Sequence, residues 1–123
     1  MGLGNLIQSA DWKKEKHAPV IEAPEKVKAG EVFTVQVSVG KEIPHPNTAE
    51  HHINWITLYF HPEGEKFAYQ VGHFEFAAHG EGTAFAEPQA TVALKVDKPG
   101  VLHALSLCNL HGLWESEQAI AVE

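Results

Sequence analysis

A cysteine and a histidine stand three residues apart near the end of the chain, at Cys108 and His111. A thiolate and an imidazole at that spacing can both point at one metal ion from a single turn, and backbone N–H groups of the turn can donate to the sulfur. The spacing alone is a weak signal, because a free cysteine is often a buried packing residue. Cys108 and His111 are therefore candidate ligands, and other residues must show whether they bind a metal or only pack in the core.

A second group of candidate ligands lies in the proline-rich loop 43–52. His45 stands between Pro44 and Pro46, which stiffen the backbone and reduce the entropy lost when the imidazole binds a metal. His51 follows six residues later, so the chain can bend back and bring both imidazoles to one ion. The alternative is a surface loop with incidental histidines, although a rigid, proline-flanked histidine is a poor choice for solvation alone.

A charged triplet near the N-terminus, Glu15, Lys16 and His17, supplies a third group. His17 is a candidate ligand, with a carboxylate and a cation beside it in sequence. Taken alone, the triplet is more typical of a solvated charged segment than of a metal site. The other five histidines are assigned no ligand role and are expected to face solvent or to form hydrogen bonds: His52, His61, His73, His79 and His103.

Together these positions offer four imidazoles and one thiolate, and this number of donors restricts the choice of metal. A closed structural zinc site uses four protein ligands and a catalytic zinc site usually three. Five nitrogen and sulfur donors suit a square-pyramidal ion with one open position, and iron fits that description. A thiolate opposite the open position would push electron density toward whatever binds there, as cysteine does for haem iron.

The composition indicates an ordinary folded domain. The chain has 123 residues, of which 44 % are hydrophobic and 20 % charged, and this length predicts a single domain over 1–123. A formal net charge of −7 argues against a nucleic-acid partner, because such binding relies on clustered Lys and Arg. Cys108 is the only cysteine, so an intramolecular disulfide is impossible. We find no signal peptide and no membrane-length apolar run, which predicts a cytoplasmic protein with no membrane partner.

Short strands separated by proline and glycine turns must position the candidate ligands. Apolar and polar residues alternate most clearly over 33–39. Further strands are predicted at 54–60, 68–76, 90–96, 101–107 and 118–122. Residues 1–11 predict a short amphipathic turn of helix, and the following prolines exclude a long one. This pattern predicts an all-β fold, an antiparallel β-sandwich.

The motifs around the candidate ligands resemble those of the one-iron superoxide reductases of the neelaredoxin type. The matching segments span nearly the whole chain: 15–19, 40–52, 78–81 and 108–114. The resemblance is specific, because five separated ligand positions occur in the family's order. The additional rubredoxin-like domain of the two-iron class would need four more cysteines, which this chain lacks.

The resemblance implies an immunoglobulin-like β-sandwich of about seven strands, in a protein that often forms homotetramers. It implies one iron ion per chain, with four equatorial histidines and an axial cysteine: His17, His45, His51, His111 and Cys108. Glu15 would be a sixth ligand in the ferric state, and Lys16 the cation that attracts superoxide and assists at the open site. The implied activity is reduction of superoxide to hydrogen peroxide, with a rubredoxin-like electron donor.

The chain departs from the family pattern at three places. The segment 81–87 is short where relatives often carry a longer loop rich in Gly, Pro and Asn, which affects the expected oligomer contacts. Leu107 replaces a tyrosine that often precedes the cysteine, and His73 replaces an arginine. These two changes bear on the reduction potential of the iron or on the electrostatics of its surroundings.

Three alternatives from other classes stay open at this point. A cupredoxin is also a small β-sandwich with a late Cys and His, but its site commonly adds a methionine shortly after that histidine, and the only methionine here is Met1. A structural or interaction sandwich with adventitious metal would have no open coordination position. A dismutase would both reduce and oxidise superoxide, and the yield of products per electron supplied would distinguish it.

Overall fold

The computed structural model describes all 123 residues, and its regular structure is almost entirely β-strand. The nine strands are β1 (Gln8–Ser9), β2 (Val20–Glu22), β3 (Lys26–Val27), β4 (Phe33–Ser38), β5 (Ile53–Pro62), β6 (Tyr69–Glu75), β7 (Gln89–Leu94), β8 (Gly100–Cys108) and β9 (Gly112–Val122). Two short 3-10 helices, Leu3–Leu6 and Glu81–Thr83, complete the regular structure. Neither is long and apolar enough to cross a membrane.

The strands form two sheets whose inner faces share one core. The larger sheet has the order β1-β9-β8-β5-β6, with β3 also paired to β9, and the smaller sheet has the order β2-β4-β7. All the longer strands pair antiparallel, and only β1 and β3 run parallel to β9. The predicted all-β, immunoglobulin-like antiparallel sandwich is confirmed. The structure has nine strands where about seven were expected. The difference comes from β1 and β3, which contain only two residues each.

The core is built from alternate residues of the facing strands, since successive side chains of a strand point to opposite faces. Val35 of the smaller sheet and Ile56 and Leu58 of the larger one have no exposed surface. On β8 the buried residues alternate from Leu102 to Cys108. The apolar periodicity of this strand therefore carries the cysteine side chain inward at the strand's last position.

The N-terminal segment differs from the prediction. A helical turn was expected within residues 1–11, but the helix is a single 3-10 turn, Leu3–Leu6, and none of its residues is buried. Gly2 and Gly4 flank and interrupt this turn, and glycine disfavours helix because it loses the most backbone entropy. The chain then continues as β1, which pairs with β9.

The last strand is longer than the sequence pattern predicts. The pattern predicts a strand over 118–122, whereas β9 begins at Gly112. Its first half carries Glu115 and Glu117 on the outer face and Ser116 on the inner face, so apolar and polar residues do not alternate there. The whole of β8 pairs with β9, and the last pair, Cys108 with Gly112, determines where β9 begins.

Candidate metal centre

The predicted ligands converge at one end of the sandwich from three separate parts of the chain. Cys108 ends β8 and His111 lies in the turn before β9. His45 and His51 lie in the loop between β4 and β5, and His17 lies just before β2. The long separations in sequence are bridged by the sheet pairing, which brings these segments to the same edge.

The turn between β8 and β9 brings the thiol and an imidazole together. Cys108 pairs directly with Gly112 across a three-residue loop, and Gly112 has φ 82°. A three-residue hairpin loop commonly ends in this left-handed conformation, which glycine adopts without steric cost. Cys108 is only 1 % exposed, whereas His111 is exposed, and its Nδ1 lies 3.8 Å from the Cys108 sulfur.

A second glycine lets the β4–β5 loop bring His45 to the sulfur. Gly40 has φ +90°, and a Cβ at this position would lie 2.7 Å from the backbone nitrogen of His45. His45 Nδ1 donates to the carbonyl oxygen of Pro46 at 2.6 Å, since a carbonyl can only accept. Nε2 is therefore the nitrogen without a proton, and it lies 3.5 Å from the Cys108 sulfur.

His17 is held from two sides. Its ring stacks on Trp114 with a centroid distance of 5.0 Å and an interplanar angle of 14°. Its Nδ1 donates to Glu15 Oε1 at 2.8 Å, and the same oxygen accepts the His17 backbone N–H at 3.1 Å. The free Nε2 then lies 3.1 Å from His111 Nδ1. Glu15 therefore fixes the tautomer and the orientation of the imidazole.

These donor atoms fit one metal ion. The Cys108 sulfur and one ring nitrogen each of His17, His45 and His51 lie within 4.8 Å of one another. His51 Nε2 is buried and has no hydrogen-bond partner, as expected for an atom whose partner is a metal. The outer nitrogens of His17 and His45 donate to a carboxylate and a carbonyl, the usual arrangement around metal-binding histidines.

The protonation of the imidazoles also suits a metal. Burial lowers the pKa of His45 to about 4 against the opposing hydrogen bond to Pro46, and the charges of His17, His51 and Lys16 act in the same direction as burial. Burial also lowers the pKa of His51, assisted by the charge of His111. Both rings are therefore neutral at neutral pH, which is the form that binds metal.

Glu15 and Lys16 lie beside the donors. The hydrogen bond from the His17 side chain is the largest cause that lowers the pKa of Glu15. The carboxylate is thus committed to His17 in this structure. Lys16 is half-buried, and its ammonium forms no salt bridge with any carboxylate of the chain. It leaves an unpaired positive charge next to the cluster.

Comparison with known proteins decides the family. A family model described as desulfoferrodoxin matches residues 9–117. This chain belongs to the desulfoferrodoxin family. It is 53 % identical to the neelaredoxin of Megalodesulfovibrio gigas, with 100 % of each chain covered. It is 56 % identical to the superoxide reductase of Pyrococcus furiosus, covering 94 % of this chain and 96 % of the relative.

Solved structures of the desulfoferrodoxin family share the whole fold. A Thermotoga maritima chain superposes with a TM-score of 0.97 at 53 % identity, covering 100 % of this chain and 98 % of that one. The superoxide reductase (neelaredoxin) from Archaeoglobus fulgidus in the reduced form gives a TM-score of 0.86 at 54 % identity, covering 94 % and 98 %. Family membership removes the cupredoxin alternative.

One residue that holds this desulfoferrodoxin-family site together was missed in the sequence. Asn109 Oδ1 accepts the backbone N–H of His52 at 2.9 Å, and its Nδ2 donates to the carbonyl of Glu50 at 2.9 Å. Its own backbone N–H donates to the carbonyl of His52 at 3.1 Å. Asn109 thereby ties the Cys108 turn to the β4–β5 loop. Its position between Cys108 and His111 was the available signal, but an asparagine in a turn usually serves the turn itself.

Proposed function

We propose that this protein is a superoxide reductase, which adds one electron and two protons to superoxide and releases hydrogen peroxide. The observation that carries the proposal is the buried thiol of Cys108 within 4.8 Å of three imidazole nitrogens. His111 Nδ1 completes the group at 3.8 Å from the sulfur. The names of the neelaredoxin and superoxide reductase relatives support the same activity.

The metal that we propose is iron, one ion per chain, held by His17, His45, His51, His111 and Cys108. A mixed imidazole and thiolate donor set suits iron, zinc or copper far better than magnesium or calcium. Bound there, iron would supply the single electron that superoxide accepts. Zinc would fill the same donors without being able to change its oxidation state.

The exposure of the donors indicates where superoxide would enter. Cys108 is almost fully buried beneath the site, whereas His45 and His51 are half-buried and His111 is exposed. The side of the cluster that faces away from the sulfur is therefore the side nearer to solvent. We propose that superoxide approaches the metal from that side.

Lys16 and Glu15 would assist on this solvent side. The unpaired ammonium of Lys16 provides a local positive potential that attracts a small anion, although the whole chain has a formal charge of −7. We propose that it also organises the water that delivers protons. Glu15 orients His17, and its role as a sixth ligand in the ferric state stays a prediction, since Oε1 is already bonded to His17.

The remaining proposals concern partners. We propose an external electron donor of the rubredoxin type and a homotetramer. The outer face of the larger sheet supports an oligomer, because Trp55 pairs with Leu107 there and Tyr59 with His103, and all four side chains are only half-buried. Sedimentation equilibrium should give the mass of four 13.5 kDa chains, and a single-chain mass would contradict the tetramer.

A single domain over 1–123 and a cytoplasmic location also stay predictions.

The test of the function is product stoichiometry after anaerobic loading with ferrous iron. We expect one iron per chain, and one hydrogen peroxide for each electron that the protein supplies, without release of dioxygen. Protein loaded with zinc is the control and should not react. Equal yields of dioxygen and peroxide would indicate a dismutase, and a chain that binds no iron under these conditions would refute the proposal.

The thiolate gives a second test of the same site. Replacing Cys108 by Ser should abolish the visible absorption band that a thiolate-to-ferric-iron charge transfer produces. A circular dichroism spectrum would check that the variant is folded, because a buried hydroxyl without a partner costs about 1–3 kcal/mol. A band that persisted would remove Cys108 from the ligand set.

A further inference from the structure

Two histidines outside the proposed ligand set form a parallel stack next to the loop that carries His45 and His51. The rings of His52 and His79 have a centroid distance of 3.4 Å and an interplanar angle of 7°. His52 is only 9 % exposed and directly follows the proposed ligand His51. His79 belongs to the segment 78–81, which resembles the family but has no part in the function proposed above.

Both the backbone and the ring of His52 are held by hydrogen bonds. Its Nδ1 donates to the carbonyl of Thr48 at 2.9 Å, so the ring is bonded to the loop that carries His45 and His51. Its backbone N–H and carbonyl are both bonded to Asn109. His79 adds a contact of a different kind, because its ring covers one face of the His52 ring.

His79 projects from a short loop whose backbone is closed by its own hydrogen bonds. The N–H of Ala86 donates to the carbonyl of Ala78 at 2.8 Å, and the N–H of Gly80 donates to Ala84 at 2.7 Å. Glu81 Oε1 accepts the backbone N–H of His79 at 2.8 Å. The loop therefore presents the His79 ring from a defined backbone position rather than from a free end.

The same loop makes a second contact with the ligand loop. The side-chain amide of Asn47 donates to the carbonyl of Ala86 at 3.2 Å. Asn47 lies between His45 and His51 in sequence. The loop 78–86 thus touches the ligand loop at two points, one on each side of Thr48.

The contact of His79 with His52 is made through the ring face and not through a hydrogen bond. Neither ring nitrogen of His79 bonds another group, and Nδ1 is buried without a partner. A face-to-face aromatic contact fixes both the distance and the tilt of the partner ring. A flat ring without nitrogen atoms should therefore replace His79 in this role.

We propose that His79 is a positioning residue for the metal site. Its ring stacks on His52 and thereby holds the loop that carries His45 and His51. The proposal rests on the function proposed above, because it assumes that this loop binds iron. The loop 78–86 contains none of the proposed ligands, so its role would be to position them.

The experiment compares three single variants of the iron-loaded chain. His79→Ala removes the ring and His79→Phe keeps a flat ring of similar size. His61→Ala is the matched control, because His61 lies where β5 pairs with the start of β8, at the other end from Cys108. The readouts are the rate of iron loss to a chelator and the position of the ferric charge-transfer band.

We expect His79→Ala to lose iron roughly tenfold faster than the unmodified chain and to shift the band, a typical size for the loss of a group that supports metal ligands. His79→Phe and His61→Ala should match the unmodified chain in both readouts. If His79→Ala does not fold, His79→Leu replaces it, since it fills the space without a flat face and is expected to lose iron at the faster rate.

Either of two results would overturn the inference. One is an alanine or leucine variant with the iron loss and the band of the unmodified chain. The other is a phenylalanine variant that loses iron as fast as the alanine variant. An unmodified chain that holds iron and reduces superoxide while these variants show no change would refute this inference alone. An unmodified chain that holds no iron would refute the proposed function with it.

Discussion

The two charged residues directly before His17, Glu15 and Lys16, have different surroundings and therefore different expected effects. Glu15 is bonded to His17, whereas Lys16 has no carboxylate partner. A charge without a partner acts through its potential, and a bonded carboxylate acts through the group that it holds. At the scale of single residues, substitutions should separate the attraction of the substrate from the orientation of the ligand.

Replacing Lys16 by Ala should slow the reaction with superoxide roughly tenfold and weaken its dependence on ionic strength, because electrostatic steering falls as salt rises. The iron content should stay unchanged. Pulse radiolysis at several salt concentrations measures the reaction rate and its dependence on ionic strength. Lys66→Ala is the control, because it also removes one lysine charge but lies in the turn between β5 and β6, at the opposite end of β5 from the ligand loop. An unchanged rate in the Lys16 variant would refute the steering role.

Glu15 can be tested for its two roles with a pair of variants. Glu15→Gln keeps an oxygen that can accept the hydrogen bond from His17 Nδ1–H, but it removes the negative charge that a sixth ligand would provide. Glu15→Ala removes both. We expect both variants to change the ferric absorption spectrum and to keep the ferrous reaction roughly intact, while only the alanine variant loses iron faster. Identical ferric spectra in all three proteins would exclude ligation by Glu15.

The candidate donors could be proposed from residue type and spacing, but the residues that support them could not. Cys108 and His111 share a turn, and their separation of three residues already limits the distance between them. His17 and His45 are 28 positions apart, so residue type could group them as candidate donors, but their separation in sequence could not show that they meet. The hydrogen bonds of Asn109 depend on where two loops meet, which residue type does not reveal.

At the scale of elements, the loop between β4 and β5 depends on Gly40. Two properties of this residue matter, its φ of +90° and the approach of the His45 backbone nitrogen to 2.7 Å from a Cβ at this position. The strands on each side were predicted, 33–39 from its alternation of apolar and polar residues and 54–60 as a further strand. The path of the loop was not, because proline and glycine predict a turn without giving its direction.

Replacing Gly40 by Ala should therefore destabilise the chain and also reduce iron binding. Gly64 is the matched control, because it has φ +79° but nothing within 4 Å of the added Cβ. Both substitutions should cost about 1–2 kcal/mol in the free energy of unfolding through the left-handed backbone. Only Gly40→Ala should lose iron, measured as metal per folded chain. Equal iron content in the two variants would show that the contact with His45 does not position the loop.

At the scale of the whole molecule, the same cluster links metal binding to stability. Burying imidazoles at the end of a sandwich has a cost when they are protonated, because burial disfavours the charged form. The ordinary pKa of His45 is 6.5 and burial lowers it to about 4 in the folded chain. The pKa of His51 is lowered in the same direction. The unfolded chain therefore binds more protons than the folded chain between these values.

The metal-free protein should consequently become more stable as the pH rises from about 4 to about 6.5. The sign follows from linkage, since stability increases with pH wherever the unfolded state binds more protons. The contribution of His45 is fully present above its unfolded pKa and is lost as the pH falls through the window toward its folded pKa. Urea unfolding of the metal-free chain at several pH values measures this slope. His45→Gln, which cannot titrate, should reduce the slope, and an equal slope in the two proteins would show that His45 is not buried as a neutral ring.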